Sequence, residues 1–206
     1  YRLISNMSND SGTIVSFDNV TFGFKENKPL LNEINFFVRK GSKITIMGQN
    51  GAGKSTILKL MTGTYKPASG SVNIFPGLTV GTAHQAIAHA DRELTITDFF
   101  MKYYGEHTYD IGRRIDEVLD AVNFKAPHDR IVKSFSGGQQ ARLLLASALI
   151  ADPDLLLLDE PTNNLDNDGI NHLTGFLLGY LKTCIVISHD ADFLNAFTDG
   201  VLYLDV

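Results

Sequence analysis

Gly48-Gln49-Asn50-Gly51-Ala52-Gly53-Lys54-Ser55 matches the phosphate-loop spacing G-x-x-x-x-G-K-[ST] at every fixed position. Its flanks supply the setting that this spacing needs. Apolar Ile44, Ile46 and Met47 precede it as a strand would, and Ile57, Leu58, Leu60 and Met61 follow at helix-compatible positions. The glycines keep side chains clear, so backbone N–H groups can converge on phosphate oxygens. The following helix adds the positive end of its dipole. Lys54 would set a charge against the β- and γ-phosphates, and Ser55 would hold Mg2+.

A second stretch answers to the first. Leu155-Leu156-Leu157-Leu158 runs into Asp159-Glu160. Four aliphatic residues in a row fit a central parallel strand buried on both faces. In open α/β sheets the chemistry sits at the carboxyl ends of the strands. Asp159 at that end would hold Mg2+, which takes oxygen ligands from one or two carboxylates plus phosphates. Glu160, one residue on and turned out of the strand, is placed to take a proton from an attacking water.

The remaining pattern alternates. Val15, Phe17, Val20, Phe22 and Phe24 partly alternate, as do Ile34, Phe36 and Val38, so the segment Ile14 to Ile46 reads as short strands. The helix after Lys54 is expected to end with Gly63 as its C′ residue. Ser69-Gly70 reads as a turn before a strand Ser71 to Ile74, and Leu78 to Ala83 as a further strand. Ile111, Ile115, Val118, Leu119 and Val122 recur at helical spacing and suggest an inserted helical lobe, about 86–148. Helices over Gly138–Leu149, Asn167–Leu181 and Asp190–Ala196 then alternate with strands Leu155–Asp159, Thr183–Ile187 and Val201–Leu204. The fold class is α/β with a mostly parallel core sheet.

Composition narrows the function. The 206 residues suffice for one domain with a large core, and residues 1–13 read as a polar lead-in to a domain over 14–206. The formal net charge of −5 supplies no bulk positive field, so DNA binding is not expected and any ribosome or membrane contact must use local patches. No apolar run approaches the ~20 residues of a membrane span. The first residues lack a signal peptide's apolar stretch, and position 1 is Tyr1 rather than Met, which suggests a fragment of something larger. Cys184 is the sole cysteine and lies in an apolar run, so a buried thiol and a reducing, cytoplasmic compartment are expected.

Ser136-Gly137-Gly138-Gln139-Gln140-Ala141-Arg142 opens a helix with Ser136 as its N-cap. Alone, this reads either as a capped helix or as a second anion site. Together the motifs run in the order phosphate loop, Gln85, Ser136-Gly137-Gly138-Gln139, Asp159-Glu160, Asn164-Leu165-Asp166, His189. That order resembles the nucleotide-binding domain of ATP-binding-cassette (ABC) proteins from about Ile14 to Leu204. The resemblance implies a P-loop ABC-type fold with an antiparallel β-subdomain, and ATP and Mg2+ as ligands. Gly48 to Thr56 matches the Walker A loop, Leu155 to Asp159 the Walker B strand, and Glu160 the catalytic glutamate. Gln85 matches the glutamine that senses Mg2+ and the attacking water, and His189 the switch histidine that touches the γ-phosphate. Asp166 matches the aspartate that communicates across the cassette dimer. Phe24 stands where the family often has a tyrosine stacked on adenine, and Phe135 where leucine commonly opens the signature. Plain core packing is the other reading of Phe24; a surface glutamine and a loop histidine are the bland readings of Gln85 and His189.

The turn Thr162-Asn163-Asn164-Leu165-Asp166 is similar to the ABC-F branch, twin-cassette proteins that act on ribosomes; transporter subunits commonly carry Thr-Ser-Ala-Leu-Asp there. That resemblance implies one cassette of a longer protein, with a second cassette and the ribosome as partners. The ATPase subunit of a membrane transporter is the competing reading.

Overall fold

Leu155–Leu158 are all fully buried, and the fold is arranged around them. A computed structural model describes residues 12–25, 28–83, 86–104 and 110–204. Five parallel strands lie side by side in the order β5 (Val80–Thr82), β6 (Leu155–Asp159), β7 (Thr183–Ile187), β3 (Lys43–Gly48) and β8 (Gly200–Leu204). An antiparallel sheet has the order β2 (Leu31–Arg39), β1 (Thr13–Phe22), β4 (Ser69–Ile74). Six α-helices, α1 (Lys54–Met61), α2 (Ile96–Tyr104), α3 (Ile111–Ala121), α4 (Gly137–Leu149), α5 (Asn167–Gly179) and α6 (Ala191–Phe197), and two short 3-10 turns complete the elements of the described residues.

The leucine run is apolar throughout because its two faces serve two cores. Leu155 and Leu157 join Ile46, Ile57, Ile185 and the inward faces of β1 and β2. Leu156 and Leu158 join Cys184, Val186 and the helices α2 to α6. Alternate side chains of a strand point to opposite faces, so a strand covered on both sides needs no polar positions. Cys184 is buried as expected, and burial pushes its thiol up to about 12. The helical spacing from Ile111 to Val122 is α3, with Ile115, Val118 and Leu119 inward against Phe99 and Phe100 of α2. Among the described residues no helix is long and apolar enough to cross a membrane.

Several element ends differ from the sequence reading, each for a local reason. The alternation of β1 skips from Phe17 to Val20 because a bulge intervenes, with Asn19 at φ 51°. Gly70, read as a turn residue, instead lies within β4 opposite that bulge at φ 79°, where a side chain would collide with the Asn19 carbonyl. Only glycine passes there, and β4 therefore begins at Ser69. The strand read over Leu78 to Ala83 is paired only over Val80–Thr82. Helix α5 stops at Gly179 rather than Leu181: Tyr180 turns extended, and its hydroxyl donates to the Pro153 carbonyl. Gly63 sits at φ 70° just past the end of α1, as the C′ reading requires.

Candidate active site

Strands β3, β7 and β6 are parallel neighbours, so their carboxyl ends open on one edge of the sheet. The residues that follow them are the glycine-rich loop Gly48–Gly53 after β3, Ser188-His189 after β7 and Glu160 after β6. A cavity of about 400 Å³ lies where they meet. Asn50, Gly51, Gly53, Lys54, Ser55 and Thr56 form one wall, Asp159, Glu160 and His189 another, and Phe24 with Leu30 closes an end. A larger groove of about 650 Å³ shares Ser55, Asp159 and Glu160 and extends past Arg142, Asn163 and Asn164.

The loop is shaped by close approach. A Cβ on Gly48 would lie 2.6 Å from the Leu204 carbonyl oxygen, and one on Gly53 would lie 2.8 Å from Leu31 Cδ2. Gly51 and Gly53 take φ of 84° and 96°, a conformation that favours glycine. Gly53 is also the N-cap of α1 and offers no side chain, so the unpaired N–H groups of that helix's first turn are not capped from within. Gln49 accepts from the Ala52 N–H at 3.1 Å and tightens the loop. Lys54 is nearly buried and donates from Nζ to the carbonyl oxygens of Gly48 at 2.8 Å and Gln49 at 3.1 Å. Its ammonium thus sits inside the loop's own curve.

On the facing wall, Asp159 ends β6 and is exposed. Glu160 adopts φ 50°, an uncommon left-handed value for a side-chain-bearing residue, while its N–H still donates to Ile187 at 2.8 Å. One carboxylate oxygen, Oε1, lies 3.2 Å from His189 Nε2. The other, Oε2, is buried with no hydrogen-bond partner among the described residues. Buried polar atoms are normally paired, so this oxygen marks a place where chemistry is expected. Two hydroxyls join the loops carrying these side chains, a contact that the sequence reading did not foresee. Thr162 Oγ1 and Ser188 Oγ are 3.1 Å apart, both buried, and Ser188 Oγ accepts from the Asp190 N–H at 3.1 Å.

Phe24 is not core: it is 68% exposed, its ring edge-on to Phe22 and Tyr65 at centroid distances of 5.2 and 5.8 Å. It is free to receive a flat ligand against its face. Gln85 lies outside the described residues. Ser136, Gly137 and Gly138 are exposed and line neither cavity. Ser136 Oγ accepts from the Gln139 N–H at 3.3 Å while Gln139 Oε1 accepts from the Ser136 N–H at 3.0 Å, a reciprocal cap. Cβ atoms on Gly137 and Gly138 would meet nothing within 4 Å. Asp166 caps α5 through Gly169 N–H at 2.9 Å and pairs with Arg142 at 3.2 Å. The Gly169 hydrogen bond first, and the Arg142 guanidinium second, hold its carboxyl below the usual carboxylate range.

Comparison with known proteins agrees with this geometry. The family model described as ABC transporter matches residues 31–163. The zinc import ATP-binding protein ZnuC of Photorhabdus laumondii is 34% identical over 94% of this chain and 75% of its own length. The Arabidopsis thaliana ABC transporter F family member 2 is 35% identical over 92% of this chain, and the energy-dependent translational throttle protein EttA of Mycobacterium tuberculosis 31% over 87%. The chain spans only 28% and 38% of those two. The solved structure of a bacterial Atm1-family ABC exporter with ATP bound superimposes with a TM-score of 0.79 at 26% identity, over 95% of this chain and 38% of that one. The loop, the paired acids and the sheet that carries them therefore have their explanation in kinship: this chain belongs to the ABC transporter family, as one of its ATP-binding cassettes.

Proposed function

We propose that this cassette binds Mg-ATP and hydrolyses it within a sandwich of two cassettes, and that it belongs to an ABC-F-type protein whose closing and opening acts on the ribosome in translation. The convergence of Lys54, Ser55, Asp159, Glu160 and His189 on one cavity carries the ATPase reading. The exposed turn Ser136–Gly138 supports the sandwich, because it lines neither cavity among the described residues and leaves open space in which a nucleotide held by a neighbour has room to approach the helix N-terminus.

The site fits the ligands assigned to it. The glycine loop leaves the room and the N–H groups for phosphates, and Lys54 supplies the cation. Ser55 and Asp159 would be the protein's oxygen donors for Mg2+; among the described residues no cluster of three His, Cys, Asp or Glu side chains forms a metal centre, and Mg2+ usually keeps several waters and substrate phosphates beside one or two carboxylates. When bound, Mg2+ supplies charge neutralisation at the phosphate oxygens. Glu160 takes the proton of a water attacking the γ-phosphorus in line with the leaving oxygen, its side chain lining the cavity where that water would sit. His189, 3.2 Å from Glu160 and exposed, holds the γ-phosphate edge of the site, with Gln85 as its further sensor. Phe24 stacks on the adenine. Ser136, Gly137, Gly138 and Gln139 of each cassette close on the nucleotide of the other, and Asp166 lies along the joint. ATP favours the closed state to the extent that it binds that state more tightly.

The ABC-F assignment is supported by Thr162-Asn163-Asn164-Leu165-Asp166 and by the likeness to the F family member and the translational throttle protein. On this reading the chain is one cassette of a longer twin-cassette protein working in the cytoplasm. The likeness to the zinc import ATP-binding protein over 75% of its length favours the second reading, a transporter's ATPase subunit. Co-sedimentation separates them. Glu160→Gln protein pelleting with ribosomes in ATP but not in ADP supports the first. A wholly unbound protein that instead associates with a membrane subunit in nucleotide supports the second.

A further inference from the structure

Arg142 is a mostly buried cation outside the cavity that Lys54, Ser55, Asp159, Glu160 and His189 line, yet it joins three elements. From α4 its Nη1 donates to the carbonyl oxygen of Asn123 at 2.8 Å and reaches that of Val122 at 3.5 Å, the end of α3. Those carbonyls lie at a helix C-terminus, where unpaired oxygens attract a cation. Asn123 takes φ 48° there, which ends the helix. The other nitrogen, Nη2, lies 3.2 Å from Asp166 Oδ1, the N-cap of α5. Guanidinium sends separate nitrogens of one rigid plane to these two targets on different elements, where an ammonium would have to reach both from a single nitrogen.

The placement matters because of what sits at equal distances along the chain. Arg142 follows Ser136 by six residues, and Asp166 follows Glu160 by six. One ion pair thus links the helix that presents Ser136-Gly137-Gly138 outward to the turn that presents Glu160 inward. Arg142 also lines the groove that continues from Glu160 past Asn163 and Asn164. We propose that Arg142 is a positioning residue: it holds the Glu160–Asp166 turn in register with the signature helix and the end of α3, so that closure at one sets the base at the other. This deepens the ATPase reading and rests on Glu160 being the base.

The test compares wild type with Arg142→Ala, Arg142→Lys, Asp166→Asn, the double variant Arg142→Ala/Asp166→Asn, and Glu160→Gln, reading kcat and KM for ATP together with direct binding of a fluorescent ATP analogue. A misplaced base costs on the order of 10- to 100-fold in rate. Arg142→Ala is expected to lose turnover by that factor with analogue affinity changed less than about threefold, since the loop Gly48–Thr56 is untouched. Arg142→Lys should fall between it and wild type, and the double variant should be no slower than the slower single one, because both remove the same link. Parallel losses of affinity and kcat, or losses that multiply in the double variant, would overturn the proposal. If Arg142→Ala does not fold, Arg142→Lys and Asp166→Asn decide by the same criteria. A Glu160→Gln protein with normal turnover would instead defeat the underlying ATPase reading, whereas an inactive Glu160→Gln beside fully active Arg142 and Asp166 variants would defeat this inference alone.

Discussion

Two glycine-rich turns in this chain each open a helix, and they are opposite in construction. In the loop Gly48–Gly53 two of the three glycines are required by contacts within the chain: side chains on Gly48 and Gly53 would strike Leu204 and Leu31, while Gly51 meets nothing but takes φ 84°. At Ser136-Gly137-Gly138 the glycines face open space, and the helix is already capped by Ser136 and Gln139. The first turn leaves its helix uncapped from within and curls around Lys54. The second is finished as a fold and bare as a surface. On the proposed reading, one turn holds a nucleotide itself and the other is brought against a nucleotide held elsewhere. The difference is the one that a sandwich of two like cassettes would require.

The comparison can be broken at four points, taken from the largest effect down. Glu160→Gln on the enclosed side should lower turnover by about 10²–10⁴-fold while ATP still binds, as read by phosphate release beside a binding titration. Unchanged turnover would remove the base from the enclosed half. Lys54→Ala should weaken ATP by about 10- to 150-fold, the value of hydrogen bonds to a charged group, measured by calorimetry. Equal affinity would mean the loop does not grip phosphate. Gly48→Ala should destabilise the fold itself by about 1–3 kcal/mol, visible in thermal unfolding without nucleotide, because a backbone carbonyl cannot give way to the new methyl. Gly138→Ala should leave stability equal or raised by up to about 0.5–1 kcal/mol, as alanine is the better helix residue and nothing crowds it. Its turnover should nevertheless fall, since the methyl would enter space that, on the proposed reading, a partner's nucleotide takes up on closing. A destabilised Gly138→Ala protein, or one with full activity, would show that this turn is not the outward-facing half.

The legible parts of this chain are those written in local sequence. The octet at Gly48 carries its own strand and helix, and the bounds of β6 and β7 follow from unbroken apolar runs whose neighbours are polar. The helical spacing of α3 could be read because one face alone is buried. The bulge at Asn19 was hidden, since it depends on pairing between β1 and the strands beside it; Phe24 continues the same partial alternation in sequence, although β1 ends at Phe22 and Phe24 is 68% exposed. Gly70 looked like a turn for the same reason. The site residues could be named from motifs, but their mutual arrangement could not. Neither the left-handed turn at Glu160 nor the pairing of Arg142 with Asp166 leaves a mark in spacing, because each is fixed by elements far apart in the chain.

The sharpest single measurement is calorimetric titration of the wild-type chain with Mg-ATP, with Lys54→Ala alongside. The account predicts uptake of about one nucleotide per chain, weakened by at least about tenfold in the variant. No heat of binding in the wild type, or identical isotherms for the two proteins, would contradict it.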